Sequence, residues 1–204
     1  MYKSQHYRVS EYIHGNSLNS EQLAGKKLSK RDLATLCKMV QRYQSLDGNS
    51  SNIQPINYTA LLGDYKQLLI TAGLWRADDQ RAFNQNLATI ERLDILHLNA
   101  PRTLCHHDLN AANIIRISAP SLFKQSPTQD LDQIQTFSIL DWEYACLSYP
   151  CMDFAILAEE FDIAIEHIAV FARQIPSTLK LAASLYRYLC QLYWRIESMN
   201  HSNS

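Results

Sequence analysis

Residues 103–117 read TLCHHDLNAANIIRI, and residues 137–145 read FSILDWEYA. The apolar run that ends the first stretch and the apolar run that begins the second predict two short strands. If these strands pair as an antiparallel hairpin, Asn113 begins one strand and Asp141 ends its partner. Both polar side chains then lie at the same end of the hairpin, where we expect a polar site.

The rest of the chain is mainly helical in its patterning. Ser29 followed by Asp32 resembles the start of a helix, and apolar residues recur at helical spacing until Asp47 and Gly48. The segment 14–16 predicts a turn, because glycine can adopt the positive φ that turns require. The other predicted elements are helices at about 58–72, 78–93, 152–174 with a break and 177–198, strands at 5–13, 103–105, 114–117 and 137–140, and a surface loop at 118–136. We predict an α+β fold, mostly helical, with a small antiparallel hairpin sheet at the site.

The composition of the chain indicates a globular protein and argues against some classes of partner. The 204 residues are 47% hydrophobic, which is enough for one domain with a large core. The formal net charge is -1 and no run of Lys or Arg could trace a phosphate backbone, so nucleic acid is not an expected partner. The apolar stretches are shorter than the roughly 20 residues that a membrane span needs, and no signal sequence opens the chain. Five cysteines, an odd number scattered through apolar stretches, predict reduced thiols and a cytoplasmic location.

Three polar residues together have the chemistry of phosphoryl transfer. A carboxylate and an amide oxygen are hard ligands of the kind that Mg²⁺ prefers, which suits Asp141 and Asn113. Asp108, on the loop before the strand, is then left to accept the proton of an attacking hydroxyl. His106 has no obvious carboxylate partner in the sequence, so we predict that it supports the loop. Each of these residues taken alone could instead be a turn former, and only their joint spacing argues against that interpretation.

The spacing His106-x-Asp108-x-x-x-x-Asn113, followed by ILDWEYA at 139–145, resembles two motifs of aminoglycoside phosphotransferase-like kinases. These are the catalytic loop and the metal-binding segment. The string DWEYA is especially similar to the choline, ethanolamine and thiamine kinase branch. The resemblance implies a protein-kinase-like fold with ATP and Mg²⁺ as cofactors.

A further stretch, VSEYIHGNSL at 9–18, is similar to the hinge between the two lobes of that family. The resemblance implies that residues 1–18 are a hinge strand and connector, and that residues 19–204 are the helical catalytic lobe. The family places a five-stranded lobe with a phosphate-binding Lys ahead of the hinge, whereas here only Lys3 precedes it. We therefore expect most of that lobe to be missing and activity to be impaired. An exposed edge strand around 7–12 would then favour self-association.

The resemblance also implies roles for individual residues. A choline- or thiamine-like substrate carries a permanent positive charge, which a carboxylate and aromatic faces can hold. The implied assignments are Asp108 as catalytic base, Asn113 and Asp141 as Mg²⁺ ligands, the backbone at Glu11, Tyr12 and Ile13 as the ATP contact, Glu143, Tyr144 and Trp194 as substrate contacts, and His106 and Asp153 as structural support. His107 stands where the family usually has Gly or Asn, and residues 147–150 stand where Gly-Asp-Pro is common.

These features predict a kinase that phosphorylates a hydroxyl of a small, cationic metabolite, with neither nucleic acid nor membrane as a partner. The alternative is a catalytically inactive, kinase-like binding module. A zinc site from Cys105, Cys146, Cys151 and the adjacent histidines is conceivable, but its spacing matches no zinc signature.

Two groups of side chains have simple structural interpretations. Most aromatic residues of the last helix are predicted to pack in the core, with one or two lining a pocket: Tyr186, Tyr188, Tyr193 and Trp194. The basic cluster before the first predicted helix is interpreted as a solvated helix entrance: Lys26, Lys27, Lys30 and Arg31.

Overall fold

The computed structural model describes residues 13–46, 53–117 and 137–202 of the chain. The predicted loop at 118–136 and nearly all of the predicted strand at 5–13 lie outside the described residues. The strands are β1 (Gly15–Ser17), β2 (Thr103–Cys105), β3 (Ile114–Ile117), β4 (Phe137–Ile139) and β5 (Cys146–Ser148). The helices are α1 (Leu18–Leu23), α2 (Lys30–Gln44), α3 (Tyr58–Thr71), α4 (Ala77–Leu96), α5 (Met152–Glu160), α6 (Ile165–Ala172) and α7 (Pro176–Ser202), with a 3₁₀ turn at Trp142–Tyr144.

The predicted hairpin is confirmed. Strand β3 pairs antiparallel with β4, and Ile114 lies opposite Ile139. Leu140 extends the pairing by donating its N–H to the carbonyl oxygen of Asn113 at 2.9 Å. Strand β1 covers the other edge of β3, while β2 and β5 form a separate two-stranded sheet. Since Asp141 follows Leu140 directly, Asn113 and Asp141 come to the same end of the hairpin.

Strand β1 lies where the sequence predicts a turn. Gly15 is opposite Ile117 in the antiparallel pair, and a Cβ added to it would lie 2.2 Å from the carbonyl oxygen of Arg116. Glycine is therefore required by the close approach of two backbones and not by a positive φ. The turn prediction is wrong because both uses of glycine look the same in a sequence.

Helices α2 to α7 begin and end close to their predicted bounds, whereas α1 was not predicted. Helix α2 starts with a reciprocal capping box, in which Ser29 Oγ accepts from the Asp32 N–H and Asp32 Oδ2 accepts from the Ser29 N–H, each at 3.1 Å. The predicted break in the fourth helical segment separates α5 from α6. In the described part of the chain, no helix combines the length and the apolar character needed to cross a membrane.

Helix α5 is the centre of the core. Residues 151–158 are buried without interruption, and the helix packs against α2, α6 and α7. Helices α3 and α4 also pack against α7. Arg195 of α7 holds this arrangement through bonds to both carboxylate oxygens of Asp79, at 2.8 and 3.0 Å, and to the carbonyl of Leu74 at 2.6 Å. The loops around β2, β3 and β5 are thus supported by a rigid helical body.

Candidate active site

The loop at 106–113, between β2 and β3, fixes the carboxylate of Asp108. Asn110 donates its amide N–H to Asp108 Oδ1 at 2.9 Å, and Asn113 donates to Oδ2 at 2.7 Å. Asn110 Oδ1 in turn accepts the backbone N–H groups of Ala112 and Asn113, which closes the turn before β3. The structure therefore brings Asp108 and Asn113 into direct contact.

The orientation of Asn113 leaves its amide oxygen available. Its side-chain nitrogen faces two acceptors, the carboxylate and the backbone carbonyl of Asp108, so the opposite atom must be Oδ1. Asp141 is exposed, and among the described residues its carboxylate has no hydrogen-bond or ion-pair partner. An amide oxygen and an unpaired carboxylate at one end of a hairpin are a donor set that fits Mg²⁺.

His106 connects this loop to the strand that leads to Asp141. The side chain is buried, and its Nε2 lies 2.7 Å from the carbonyl oxygen of Leu140. That carbonyl can only accept, so Nε2 carries the proton and Nδ1 accepts the N–H of Asp108 at 3.2 Å. Both ring nitrogens are therefore used in structural bonds. These contacts support the predicted role of His106 as a strut.

Asp153 of α5 is fully buried beneath the same loop. Its Oδ2 accepts the Tyr43 hydroxyl at 2.5 Å and the His106 N–H at 2.8 Å, and its Oδ1 accepts the His107 N–H at 3.0 Å. Burial raises the pKa of Tyr43, and the charge of Asp153 raises it further, so the hydroxyl keeps its proton as a donor. One carboxylate from the core thus holds the backbone on the N-terminal side of Asp108.

His107, a departure from the family pattern, occupies a left-handed backbone position with φ 68°. Gly and Asn adopt this conformation readily, whereas other residues need support. Tyr58 provides it, since its hydroxyl lies 3.1 Å from His107 Nε2 and 2.7 Å from Ser148 Oγ. Burial lowers the pKa of His107, which favours a neutral ring able to accept the Tyr58 proton. Sequence reasoning gave Tyr58 no role.

Two predicted substrate contacts, Glu143 and Tyr144, lie on the exposed 3₁₀ turn directly after Asp141. The charge of Glu143 raises the pKa of Tyr144, and Tyr193 and Asp108 add to this effect.

The aromatic residues of α7 are less buried than predicted. Tyr188 lies in the core, but Tyr193 is 41% exposed and Trp194 is 66% exposed, with their rings edge to face at 5.3 Å. Tyr193 adds to the rise in the pKa of Tyr144 and of Tyr65 on α3. Trp194 as a substrate contact stays a prediction. Tyr65 carries no motif in the sequence.

The predicted nucleotide contacts lie at the edge of what the structure describes. Glu11 and Tyr12 are outside the described residues, as is the segment 7–12 on which the self-association prediction depends. Ile13 is partly buried and leads into β1, whose Ser17 lies opposite Ile115 of β3. The end of the predicted hinge therefore runs beside the strand that begins after Asn113.

The cysteines carry no chemistry that the described residues reveal. All five are free thiols, and burial raises the pKa of both Cys146 and Cys151 to about 12. In the part of the chain that the structure describes, no group of three or more His, Cys, Asp or Glu side chains could hold a metal ion. The magnesium donor set described above differs because one of its ligands is an amide.

Several solved structures with this architecture are kinases or phosphotransferases. Choline kinase LicA from Streptococcus pneumoniae superposes with a TM-score of 0.61 and 19% identity, over 95% of this chain and 61% of that chain. Plasmodium vivax ethanolamine kinase gives 0.60 and 16%, over 92% and 57%. APH(2")-IIia, in its complex with GDP and kanamycin, gives 0.63 and 16%, over 94% and 63%. These likenesses confirm the predicted kinase-like α+β fold, and this chain spans 57–63% of the length of these structures.

By sequence, no curated protein matches significantly. The profile of one protein family, described as Choline/ethanolamine kinase, matches residues 5–196. That range includes the 106–113 loop, the 3₁₀ turn and nearly all of α7. The chain belongs to the choline/ethanolamine kinase family.

Proposed function

We propose that this chain transfers a phosphoryl group from ATP to a hydroxyl of a small, cationic metabolite, with Mg²⁺ as cofactor. The observation that supports this most is the contact between Asp108 and Asn113. Each oxygen of the Asp108 carboxylate accepts one amide N–H, which fixes its orientation and still leaves lone pairs for a proton. Phosphoryl transfer depends mainly on such positioning.

In this proposal Asp108 accepts the proton of the substrate hydroxyl as that oxygen attacks the terminal phosphorus of ATP. Asn113 Oδ1 and the Asp141 carboxylate hold the metal, which when bound neutralises charge on the phosphates. His106 and Asp153 keep the loop in place. The backbone from Glu11 to Ile13 receives the nucleotide, an assignment that rests on the family resemblance. The solved complex of LicA with AMP is consistent with nucleotide use by a relative.

A positive charge on the substrate suits the surroundings of Asp108. Glu143 and Tyr144 follow Asp141 on an exposed turn, and Tyr193 is close enough to affect the pKa of Tyr144. A carboxylate with aromatic faces stabilises a quaternary ammonium group by about 0.5–2 kcal/mol for each aromatic contact. Choline and ethanolamine, the substrates named by the family, are both cationic at neutral pH.

The reaction is tested by measuring ADP formation with ATP, Mg²⁺ and choline for the 204-residue chain and for Asp108→Asn. We expect the substitution to lower kcat by about 100-fold or more, because it removes the proton acceptor. Asp162→Asn is a matched control, since Asp162 is an exposed carboxylate outside the site. Unchanged turnover in Asp108→Asn would remove Asp108 from the mechanism.

Calorimetry with ATP and Mg²⁺ separates this proposal from an inactive binding module. We expect nucleotide binding that depends on Mg²⁺ and that weakens in Asp141→Ala, because an anionic ligand is lost. Binding of choline without any binding of nucleotide would favour the inactive module.

The substrate charge is tested with choline and with 3,3-dimethylbutan-1-ol, its uncharged carbon analogue. We expect Glu143→Gln to raise the KM for choline more than it lowers kcat, because the contact with the cation persists through the reaction. The KM for the neutral alcohol should not change. Equal effects on the two alcohols would contradict the role of Glu143.

A further inference from the structure

A cavity of about 460 Å³ lies between the α1–α2 connection and the α5–α6 connection, and its lining includes none of the candidate active-site residues. This volume lies within the range of about 300–1,000 Å³ that is typical of small-ligand sites. Its floor is apolar, with Leu18 and Leu33 buried and Phe161 and Ile163 partly buried. A ligand with an apolar body could therefore displace water from it.

The rim of this cavity is basic. Lys26, Lys27 and Lys30 all contribute to the lining, and all three are exposed. Among the described residues, none of the three has a carboxylate within ion-pair distance. Their charges are therefore available to a ligand.

Three carboxylates also line the cavity. Glu21 is paired with the Arg116 guanidinium at 2.9 Å, and Glu160 accepts the Tyr186 hydroxyl at 2.8 Å. Asp162 is the remaining acidic residue of the lining, and within the described ranges its side chain has no partner. Because a hydroxyl donor does not neutralise Glu160, three unpaired ammonium groups on the rim face two carboxylates without a cationic partner, Glu160 and Asp162.

We propose that this cavity binds a small organic phosphate, such as an aryl or alkyl phosphate monoester. The lysines would hold the dianionic head as mobile point charges, which is how ammonium groups bind phosphate. The apolar floor formed by Leu18 and Phe161 would cover the body of the ligand and so favour an organic phosphate over the inorganic ion. This site is independent of the proposed kinase reaction and does not require the chain to be active.

Titration calorimetry of the 204-residue chain with phenyl phosphate, inorganic phosphate and phenol tests the ligand class. We expect phenyl phosphate to bind at least about tenfold more tightly than either of the other two, because only it uses both the charged rim and the apolar floor. Binding should weaken as the salt concentration rises. Absence of binding, or equal affinity for inorganic phosphate, would overturn the proposal.

Variants test the location. We expect Lys26→Gln combined with Lys30→Gln to weaken phenyl phosphate binding by about tenfold, since two of three cations are lost. Lys180→Gln is the matched control, because Lys180 pairs with Glu166 outside the cavity. Binding that is unchanged in the double variant would place the ligand elsewhere and contradict the proposal.

Asp162→Asn should increase the affinity for phenyl phosphate, which a misfolded variant would not do. Asp162 has φ 49°, a left-handed conformation that asparagine adopts at least as readily as aspartate. Removing its charge should tighten phenyl phosphate binding by about two- to fivefold, because one of the two repulsive carboxylates in the lining is lost. Weaker or unchanged binding in this variant would count against an anion in this cavity.

Discussion

The Asp153 carboxylate holds the 106–113 loop, and Asp153→Asn changes that group with almost no change in shape. The carboxylate accepts three buried hydrogen bonds, two at Oδ2 and one at Oδ1. An amide has only one oxygen. If that oxygen keeps the bonds from Tyr43 and His106, the new NH₂ group faces the N–H of His107, and two donors oppose each other without an acceptor.

The cost can be estimated from these bonds. An unsatisfied buried donor costs about 1–3 kcal/mol, and the two surviving bonds lose the added strength of a charged acceptor. We expect Asp153→Asn to lower the free energy of unfolding by about 2–4 kcal/mol, a large part of the roughly 5–15 kcal/mol of a typical domain. Tyr43→Phe removes one donor and keeps the edge-to-face contact with Trp142, so it should cost about 1–2 kcal/mol.

Urea titration followed by tryptophan fluorescence and by circular dichroism measures both losses. Asp162→Asn is the control, because the same chemical change at an exposed carboxylate should alter stability by no more than about 0.5 kcal/mol. The double variant of Tyr43 and Asp153 should lose less than the sum of the single losses, since the two residues share a bond. A loss of stability below about 1 kcal/mol for Asp153→Asn would contradict the role of Asp153 in holding the 106–113 loop.

Three further substitutions test other contacts. Gly15→Ala should separate β1 from β3, because the new Cβ would lie 2.2 Å from the Arg116 carbonyl oxygen; thermal denaturation should show a loss of about 2 kcal/mol. Arg195→Met should raise the pKa of the Asp79 carboxyl, which the guanidinium now lowers, as NMR titration can show. Its loss of stability should be greatest at neutral pH and should shrink as the pH falls and Asp79 is protonated. Tyr58→Phe should cost about 1–2 kcal/mol in urea titration, through loss of the two hydrogen bonds of its hydroxyl, and should leave its ring stacked as before.

Local signals predicted the elements that depend on neighbouring residues. The capping box at Ser29 and Asp32 and the apolar spacing after it define α2, and the polar residues at two strand ends define the hairpin site. Strand β5 was missed because it has only three residues and pairs with β2, which lies about 40 positions earlier in the chain. Such pairing is decided by tertiary structure, which composition and periodicity do not reveal.

The same limit applies to individual side chains at the site. The motif spacing identifies Asp108 and Asn113, but no local pattern shows that Tyr58 lies beside His107, since the two residues are 49 positions apart. The exposure of Tyr193 and Trp194 also depends on how α7 is rotated against its neighbours. Packing sets that rotation, so the sequence does not show which of these two adjacent aromatic residues is the more exposed.

The geometry of Asp108 depends more on the helical core than on the sheet beside it. A two-stranded sheet of three-residue strands, such as β2–β5, is marginal by itself, and the left-handed backbone of His107 costs about 1–2 kcal/mol. The loop is held instead by Asp153, which projects from the buried part of helix α5. Because that carboxylate binds two successive backbone N–H groups, a shift of α5 must move His106 and His107 together, and Asp108 with them. Packing around α5 is therefore coupled to the position of the proposed base, so that cavities created in this core should lower turnover as well as stability.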